Sequence, residues 1–552
     1  MTLAEERELE TVKEGLTYVK GDHHTDEPHW HASYPWVRDP ASLPGNRKAV
    51  EATFLQTEKQ LSKEPGWKTA YTEQVYDMLD RRAAIKLTQE EITGWEGPVW
   101  YISHLIAPTP HSVTTPIRLV WNSSQKFQGV SMNDLLMKGP DVLNQIRAVL
   151  LRFREGTYAA LGDIRKMYNS VWLEEKELHL HRFLWRDSEN EEIGDYAITR
   201  VNIGDKPAGC IAQLAMRETA NLPPFSHLQE ERKVLQFSSY VDDIFVSHNN
   251  PVRLREITAN VKMILKAGGF ELKPWVYSGQ SGRSEYTGKQ VKSEVRTIIL
   301  PNQMKEEENK ALGLGYIAED DNLHVMVSIN FSKRKKKLRL GKNLTQSEIR
   351  DQTPNPLTRR ELLSQISGLY DPIGLVAPAK QNGAILVRRA FQEARLTSNQ
   401  VKDTWDLALS DNLREDAIRL FEEYTQLNKI QYDRALTPLH FSGDPTAITF
   451  SDGSEHAYGA VLYLRWESDR SPIIKLVELK AKLTPLDQKG DAVKAEVCGA
   501  VFASRLKKYF ELHSQIKIHQ WYHLIDSQTV LGATQRESYG FQGGRRDPSR
   551  TF

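Results

Sequence analysis

The sequence has few cysteines, no excess of either charge and no long apolar run. Its 552 residues include two cysteines, far apart, which excludes a disulfide scaffold and a cysteine-rich zinc module. The 73 basic and 72 acidic residues leave a net charge of +1, so any attraction for nucleic acid must be local. The acidic start MTLAEERELE has no signal-peptide core, and no apolar run is long enough to span a bilayer. We therefore expect a soluble protein of a reducing compartment.

What is present is typical of a globular chain. Hydrophobic residues make up 39% and charged residues 26%, which excludes wholesale disorder and a collagen-like fibre. At roughly 150 residues per domain, the length predicts three or four units. Apolar spacing predicts helices in AVEATFLQTEKQLSK, YTEQVYDMLDRRAAIKL and VLNQIRAVLLRFRE, and strands in PVWYISHLIAP and TPIRLVWNSS. From about residue 445, two strands, a helix and a strand indicate a separate α/β domain.

The strongest local signal is SSYVDDIFVS, in which Asp242 and Asp243 stand between two apolar, β-rich stretches. A hairpin with two carboxylates at its tip concentrates oxygen ligands. Burying adjacent like charges is costly, and a divalent cation removes that cost. The alternative is a plain hairpin turn, where Asp is common. We favour a cation site, because an Asp-Asp pair is an unusual choice between apolar strands.

A second acidic signal is LGDIRKMYNSV, where Asp163 ends a short apolar strand. An aspartate at a strand's carboxyl end can reach the same metal as the hairpin. Tyr168, five residues on, would then lie beside whatever the metal binds. Alone the signal is weak, since any strand-to-helix turn can hold an Asp cap. Together with the YVDD hairpin it becomes specific.

Three more carboxylates occur in the C-terminal α/β pattern. Asp452 ends a strand, Glu496 lies in the helix KAEVCGAVFASRL, and Asp526 ends the strand HLIDS. Surface acids are common, so each alone is unremarkable. In the order strand, helix, strand they suggest a divalent-metal phosphodiesterase site.

Other motifs carry less weight. His23, His24, His29 and His31 cluster in a segment expected to be extended and looping, and a zinc site is possible there. Irregular spacing and the absence of Cys weigh against it. His179 and His181 are expected to pack on a strand. The basic run at 331–342 is either a solvated face or a nucleic-acid contact. No Asp-Thr-Gly or Asp-Ser-Gly turn and no GxxxxGK[ST] loop occurs, so we predict neither proteolysis nor an NTPase.

These motifs together resemble a known family. Tyr240-Val241-Asp242-Asp243 resembles the YxDD motif of reverse transcriptases, and Asp163 with Tyr168 resembles their first palm motif. Over roughly residues 26–540 the chain is similar to the reverse transcriptases of Bel/Pao long-terminal-repeat retrotransposons. The matching stretches are TPIRLVWNSSQKFQGVSMNDLLMKGPD, LLRFREGTYAALGDIRKMYNSV, HRFLWRD, VNIGDKPAGCIAQLAMRETA, SYVDDIFVS, LKAGGFELKPW and TRRELLSQISGLYDPIGLVAPA.

The resemblance implies an α/β (α+β) fold, a right-hand polymerase with fingers, palm and thumb followed by a partial ribonuclease H-like domain. The expected segments are an N-terminal lead (1–25), fingers and palm (26–290), thumb and connection (291–435), the partial ribonuclease H-like domain (440–540) and a divergent tail (541–552). An RNA-directed DNA polymerase would act on an RNA template, a DNA primer, RNA–DNA hybrid and dNTPs. No membrane partner is expected. Its expected location is cytoplasmic, which includes element-encoded particles.

The family also implies roles for individual residues. Asp163, Asp242 and Asp243 would hold two Mg²⁺ ions, or Mn²⁺. Tyr168 would be the steric gate against a ribose 2′-hydroxyl, and Arg118 would face the triphosphate. The remaining candidates contact nucleotide or template: Tyr240, the segment from Gly204 to Ala212, and Lys273, which would assist pyrophosphate departure.

Two departures and one defect accompany the resemblance. Ile203 stands where many retroviral enzymes have Gln, and Asn122 where many elements have Asp. Asp452, Glu496 and Asp526 resemble the D-E-D part of ribonuclease H, where metals activate the water that cuts RNA. The fourth acid is missing, because Asp547 lies in a tail without apolar periodicity. We therefore expect a truncated, impaired domain. The alternative for the whole chain is an inactive remnant that at most binds nucleic acid.

Overall fold

The computed structural model describes residues 2–22, 25–64, 66–108, 117–279, 296–297, 314–335, 338–339, 341–397, 404–486 and 491–534. His23, His24, part of the basic run, the tail at 541–552 and Asp547 lie outside the described residues. The chain divides into two compact units. The first comprises Met1–Asn144, Leu161–Phe245 and Arg255–Trp275, and the second Gln145–Ala160, Val246–Leu254 and Val276–Phe552.

Helices and strands are mixed in both units. The helices are α1 (Leu3–Glu14), α2 (Arg47–Leu61), α3 (Trp67–Asp80), α4 (Gln89–Thr93), α5 (Ile146–Glu155), α6 (Glu175–Leu178), α7 (Ala208–Ala220), α8 (Gln229–Phe237), α9 (Pro251–Ala267), α10 (Gln346–Gln352), α11 (Arg359–Ile366), α12 (Ala377–Thr397), α13 (Asp411–Leu427), α14 (Ala492–His513) and α15 (Gln528–Thr534). The strands are β1 (Leu16–Val19), β2 (His29–Ala32), β3 (Ala84–Lys86), β4 (His104–Pro108), β5 (Ile117–Trp121), β6 (Tyr158–Asp163), β7 (Trp172–Leu173), β8 (Arg182–Trp185), β9 (Gly194–Ile198), β10 (Ser239–Tyr240), β11 (Asp243–His248), β12 (Val276–Tyr277), β13 (Arg296–Thr297), β14 (Leu314–Ile317), β15 (Asn322–Val325), β16 (Arg334–Lys335), β17 (Leu338–Arg339), β18 (Tyr432–Asp433), β19 (Ser442–Gly453), β20 (Ala457–Glu467), β21 (Ile473–Leu483) and β22 (Gln520–Ile525). No helix in the described ranges is both long and apolar enough to cross a membrane.

Several elements of the first unit follow the sequence pattern, and one prediction is wrong. Helix α2 and the strands β4 and β5 form where expected, and Pro108 pairs with Ile117 in the β4–β5 hairpin. The helix predicted over YTEQVYDMLDRRAAIKL ends at Asp80 as α3. The last residues of that stretch form β3, because Ala84 pairs with Ile198 of β9 and the strand pairing overrides the helical spacing.

The segment expected to loop contains a strand. β2 pairs antiparallel with β1, where His31 faces Thr17, and parallel with β7, where His31 faces Trp172. Trp30 on β2 is buried and donates its indole N–H to the Thr219 hydroxyl on α7 at 2.8 Å. The aromatic side chain and this hydrogen bond explain why a Pro- and His-rich segment becomes ordered strand.

In the second unit, two buried arginines hold α5. Arg154 donates to the carbonyls of Leu476 and Val477 at 2.6 Å each. Arg434, fully buried, donates to the carbonyl of Phe153 at 2.7 Å and forms an ion pair with Asp321 at 2.6 Å. Buried guanidinium groups are stable only when their donors are satisfied, and backbone carbonyls do this here.

The C-terminal part of the second unit is a four-stranded sheet in the order β21-β20-β19-β22. β19 pairs antiparallel with β20 and parallel with β22. The strands and helix predicted from residue 445 are present as β19, β20, α14 and β22, whereas β21 was not predicted. The sheet and α14 share a core that includes Leu462, Leu464, Trp466, Leu506 and Phe510.

The core-facing apolar side chains of α14 are covered. Leu506 and Phe510 are buried, and Phe502 is partly buried against the core. Exposed apolar side chains lie on paired positions of the sheet, where Phe450 of β19 faces Leu524 of β22. Val493 and Leu512, near the two ends of α14, are exposed as well. Uncovered apolar surface is therefore found on the sheet and at the ends of the helix.

Candidate active site

Asp242 lies in a two-residue turn between β10 and β11. Tyr240 faces Asp243 in the strand register, so Val241 and Asp242 form the turn. Val241 has a φ of 52°, a left-handed conformation that β-branched residues rarely adopt and that costs on the order of 1–3 kcal/mol. Its side chain is buried, and its carbonyl accepts a hydrogen bond at 2.7 Å from the Gln213 amide of α7. The surroundings thus hold a strained turn in place.

Backbone hydrogen bonds bring Asp163 to this turn. The N–H of Ile164, the residue after β6, donates to the Asp242 carbonyl at 2.8 Å. The N–H of Lys273 donates to the Asp163 carbonyl at 2.9 Å, and the Lys273 ammonium lies 2.8 Å from the Asp163 carboxylate. Two acids and one lysine from three distant segments therefore meet at one place, as the sequence pattern predicted for the two acids.

The electrostatics of this site favour a bound cation. Burial, followed by the nearby negative charge of Asp163, raises the pKa of Asp242 to about 6. The positive charge of Lys273 acts in the opposite direction. Burial and the carboxylate of Asp242 also raise the pKa of the Tyr168 phenol. The site thus contains a carboxylate whose charge is poorly solvated, a condition that a divalent ion relieves.

Tyr168 lies between the acids and the start of α7. It belongs to a short 3₁₀ turn, Met167–Ser170, that follows β6, and its ring is partly buried. A Cβ added to Gly209, in the first turn of α7, would lie 4.0 Å from the Tyr168 hydroxyl. The phenol therefore lies near both Asp242 and the first turn of α7.

The three aspartates of the turn site are not equally close. Groups of three ligating side chains with atoms all within 4.8 Å of one another occur twice among the described residues, and Asp163, Asp242 and Asp243 are not one of them. Asp243 begins β11, opposite Tyr240. The backbone bond from Ile164 brings Asp163 and Asp242 together, and the three aspartates do not form a triad as compact as those two groups.

Two further predicted residues lie elsewhere in the first unit. Arg118 is exposed on β5, in the two-stranded β4–β5 sheet. Gly204 lies in the loop before α7, where a Cβ would come within 2.6 Å of the Trp121 carbonyl, so the loop packs too closely for a side chain. Ile203, the departure from Gln, is largely exposed.

Sequence reasoning missed the group that organises this loop. Asp205 is buried and accepts hydrogen bonds from the Tyr34 hydroxyl at 2.6 Å, from the Ser123 hydroxyl and, when protonated there, from His181 Nε2 at 3.1 Å. Interaction with Asp205 raises the pKa of His181, although burial opposes it. Asp205 directly precedes Lys206-Pro207 and α7. Its signal in the sequence was hidden, because its partners come from three distant segments.

The two histidines expected on a strand lie in the turn between α6 and β8. His181 is fully buried beside Asp205, and His179 stacks on Trp95 with ring centroids 4.1 Å apart. The prediction of a strand is wrong. The local fold turns here, because the Leu180 N–H donates to the Glu177 carbonyl at 3.1 Å.

The second acidic site is compact. Asp452 at the end of β19, Glu496 on α14 and Asp526 after β22 offer oxygen atoms all within 4.8 Å of one another. Burial, then the charges of Asp526 and Asp452, raises the pKa of Glu496. Gly499 permits this approach, since a Cβ there would lie 2.8 Å from the Asp452 carbonyl. The three acids, which we call the C-terminal triad, are assembled as the sequence predicted.

A groove of about 610 Å³ opens beside the C-terminal triad. Its walls include Asp452, Asp526, Phe450 and Leu524 from the sheet and Gln381 from α12. Carboxylates at the end of an apolar groove are suited to a cation and to an extended ligand that crosses it.

Comparisons with known proteins match two separate segments of the chain, one around each acidic site. Residues 122–275 match the family of reverse transcriptases (RNA-dependent DNA polymerases), and residues 358–527 match the Pao retrotransposon-like RNaseH-like domain. No curated protein matches the chain.

Three solved structures of foamy viral protease-reverse transcriptase are similar at 14% identity each. A dRH form with double-stranded DNA has a TM-score of 0.46, with 84% of this chain and 64% of that chain covered. The complex with RNA/DNA hybrid has 0.43, with 92% and 52% covered. A complex with double-stranded DNA has 0.48, with 85% and 77% covered. The chain thus spans less than two thirds of the length of the first two.

Proposed function

We propose that this chain extends a DNA primer along an RNA or DNA template. It carries a reverse transcriptase domain followed by a Pao retrotransposon-like RNaseH-like domain. The observation that carries the proposal is the meeting of Asp163 and Asp242, joined through the Ile164 N–H, inside the matched segment. In the reaction, the primer 3′-hydroxyl loses its proton to solvent and its oxygen bonds to the α-phosphorus of a dNTP. The bond from the α-phosphorus to the oxygen that bridges to the β-phosphorus breaks, and pyrophosphate leaves with that oxygen.

The residues of the turn site fit a divalent cation. Carboxylate oxygens are the ligands that Mg²⁺ takes, and the raised pKa of Asp242 reflects a charge that a cation would stabilise. Asp163, Asp242 and Asp243 would hold Mg²⁺, with Mn²⁺ as the alternative. When bound, two such ions stabilise the attacking and leaving oxygens of an in-line displacement.

The other residues position the nucleotide. Tyr168 borders the space between Asp242 and the first turn of α7, where its ring would exclude a ribose 2′-hydroxyl. Lys273, which pairs with Asp163, carries a positive charge and three N–H donors that suit a departing pyrophosphate. Arg118 would contact the triphosphate from the exposed face of β5. This arrangement works mainly by positioning and charge, as phosphoryl transfer requires.

The partners proposed are an RNA template, a DNA primer, RNA–DNA hybrid and dNTPs. A cytoplasmic location, including within element-encoded particles, stays a prediction. So do the expected segment boundaries.

Primer extension by the full chain tests the proposal. Asp242→Asn with Asp243→Asn should abolish Mg²⁺-dependent extension, because two anionic groups leave the site. Glu191→Gln with Glu192→Gln is the matched control, since it removes two adjacent exposed acids of the same unit. Extension that survives the aspartate double variant would reject the assignment. No extension by the parent chain would favour the rival function, an inactive remnant that at most binds nucleic acid.

A second function, cleavage of RNA in an RNA–DNA hybrid, is favoured by the compact C-terminal triad. Asp452, Glu496 and Asp526 would hold the cations that activate water. Asp452→Asn should abolish cleavage while extension continues, and Asp469→Asn, in the exposed turn after β20, is the control. Cleavage unchanged in Asp452→Asn would exclude the triad. The expectation of an impaired domain stays a prediction that the cleavage rate itself will decide.

A further inference from the structure

A third group of ligating side chains lies far from both acidic sites in the sequence. Asp22, His29 and His31 offer one atom each within 4.8 Å of one another. The Nε2 atoms of the two histidines are 2.9 Å apart, and an oxygen of Asp22 lies 2.8 Å from His31 Nε2 and 3.3 Å from His29 Nε2. Neither the polymerase reaction nor hybrid cleavage uses these residues.

The hairpin geometry explains the convergence. His29 and His31 are two residues apart on β2, so their side chains lie on the same face of the strand. Asp22 belongs to the connection between β1 and β2. Its Oδ1 accepts the Thr25 N–H at 3.2 Å, which leaves Oδ2 toward the histidines. Both imidazoles are almost completely buried, and Asp22 is partly buried.

Hydrogen bonds cannot pair all three atoms with one another while both imidazoles are neutral. His29 Nδ1 lies 2.8 Å from the Glu27 carbonyl, which can only accept, so this nitrogen carries the hydrogen. In the neutral ring His29 Nε2 is therefore an acceptor. A neutral His31 can direct one N–H into a space that also contains the Asp22 oxygen. At least one pair of acceptor atoms therefore remains in contact with no hydrogen between them. A cation bound to both atoms would replace this repulsion with two favourable bonds.

The distances and the donor types fit a transition metal. Tetrahedral Zn²⁺ with bonds of roughly 2.0–2.1 Å places its ligand atoms about 3.3 Å apart, close to the 2.8–3.3 Å seen here. Imidazole nitrogen favours Zn²⁺ over Mg²⁺. The hydrogen bond from His29 Nδ1 to a backbone carbonyl is the outer contact that zinc-bound histidines usually make.

We propose that Asp22, His29 and His31 form a Zn²⁺ site that holds the connection between β1 and β2 against β2. The hairpin is joined to β7 by the pairing of His31 with Trp172, and the His29 ring packs on Trp172 with centroids 5.4 Å apart. Three protein ligands leave a fourth position for water. We assign the ion a structural role, because all three ligands lie in one hairpin; Trp172, against which the hairpin packs, lies two residues after the 3₁₀ turn Met167–Ser170 that carries Tyr168.

The test measures zinc bound to the metal-stripped full chain in a large excess of Mg²⁺, which occupies carboxylate sites. The parent should bind one Zn²⁺ per chain, and so should Asp242→Asn with Asp243→Asn. His29→Asn with His31→Asn should lose this zinc, whereas His227→Asn, which alters an exposed histidine, should keep it. Zinc retained by the double histidine variant, or none on the parent, would overturn the site.

A second measurement covers the case in which the histidine variant does not fold. Co²⁺ added to the unaltered stripped chain should give the intense visible absorption of a tetrahedral site, and one equivalent of Zn²⁺ should abolish it. Asp22→Asn should weaken Co²⁺ binding by at least tenfold while circular dichroism stays unchanged. A Co²⁺ spectrum of octahedral type, or one unaltered in Asp22→Asn, would also reject the proposal.

Discussion

The two acidic sites differ in how they manage negative charge. In the turn site, burial and the neighbouring Asp163 raise the pKa of Asp242 to about 6, and Lys273 lies 2.8 Å from Asp163. In the C-terminal triad, Asp452 and Asp526 are exposed, and water screens them. The turn site is organised by backbone hydrogen bonds and a strained turn, whereas the C-terminal triad depends on the approach of α14 to β19.

The largest effect should come from replacing one aspartate with asparagine, in one site at a time. Asp163→Asn should lower primer extension at least about 100-fold and leave hybrid cleavage unchanged, because a metal ligand is removed from one site only. Asp452→Asn should do the reverse. Rates of both reactions, measured on the same preparations, check this. Loss of both activities in either variant would show that the two sites are not independent.

The gate residue provides the next largest effect. Tyr168→Ala should raise ribonucleotide incorporation relative to deoxynucleotide by about 10–100-fold, because the ring borders the space beside Asp242. Tyr168→Phe is the matched control and should keep the parent's selectivity, since the ring remains. Selectivity follows from extension rates with matched dNTP and rNTP. An unchanged preference in Tyr168→Ala would remove the gate role and leave the metal site intact.

A buried carboxylate of the second unit sharpens the contrast, because no cation is proposed for it. Burial raises the pKa of Glu155 to about 7, although the Gln515 N–H donates to it at 2.9 Å. Its folded pKa exceeds its unfolded value, so the stability it contributes is present below about pH 4.5 and is lost as pH rises to about 7.

At pH 8 Glu155→Gln should therefore be more stable than the parent by about 2 kcal/mol, and the two should be nearly equal at pH 4.5. Denaturant unfolding at both pH values measures this. Glu191→Gln, an exposed acid, should show no such pH dependence. Equal stability of Glu155→Gln and the parent at pH 8 would contradict a raised pKa of Glu155 in the folded protein.

The smallest effect concerns the support of the strained turn. Gln213→Leu removes the N–H that the Val241 carbonyl accepts at 2.7 Å, so a buried carbonyl loses its partner. We expect unfolding to become easier by about 1–2 kcal/mol and extension to slow several-fold. Hybrid cleavage at the C-terminal triad should be unaffected. If neither the stability nor the extension rate changes in Gln213→Leu, the strands alone place Asp242.

Much of both acidic sites could be predicted from the sequence. Asp242, Asp163, Asp452, Glu496 and Asp526 stand at strand ends or on an amphipathic helix, positions that local patterns reveal. Asp205 and Gln213 could not be found this way, because their roles depend on partners from distant segments. For the same reason the sequence pattern predicts helix where β3 forms: the pairing of β3 with β9 has no local signature.

Local patterns are enough to identify the acidic residues of both sites and the order of the elements that carry them, since turn residues and apolar periodicity act over a few positions. Which distant groups meet depends on the three-dimensional fold. It joined Lys273 to Asp163 and brought Asp22 to His29 and His31, although spacing in the sequence weighed against a zinc site. The ligands of a metal site come together in the folded structure, and strand pairing determines the distances between the ligand atoms.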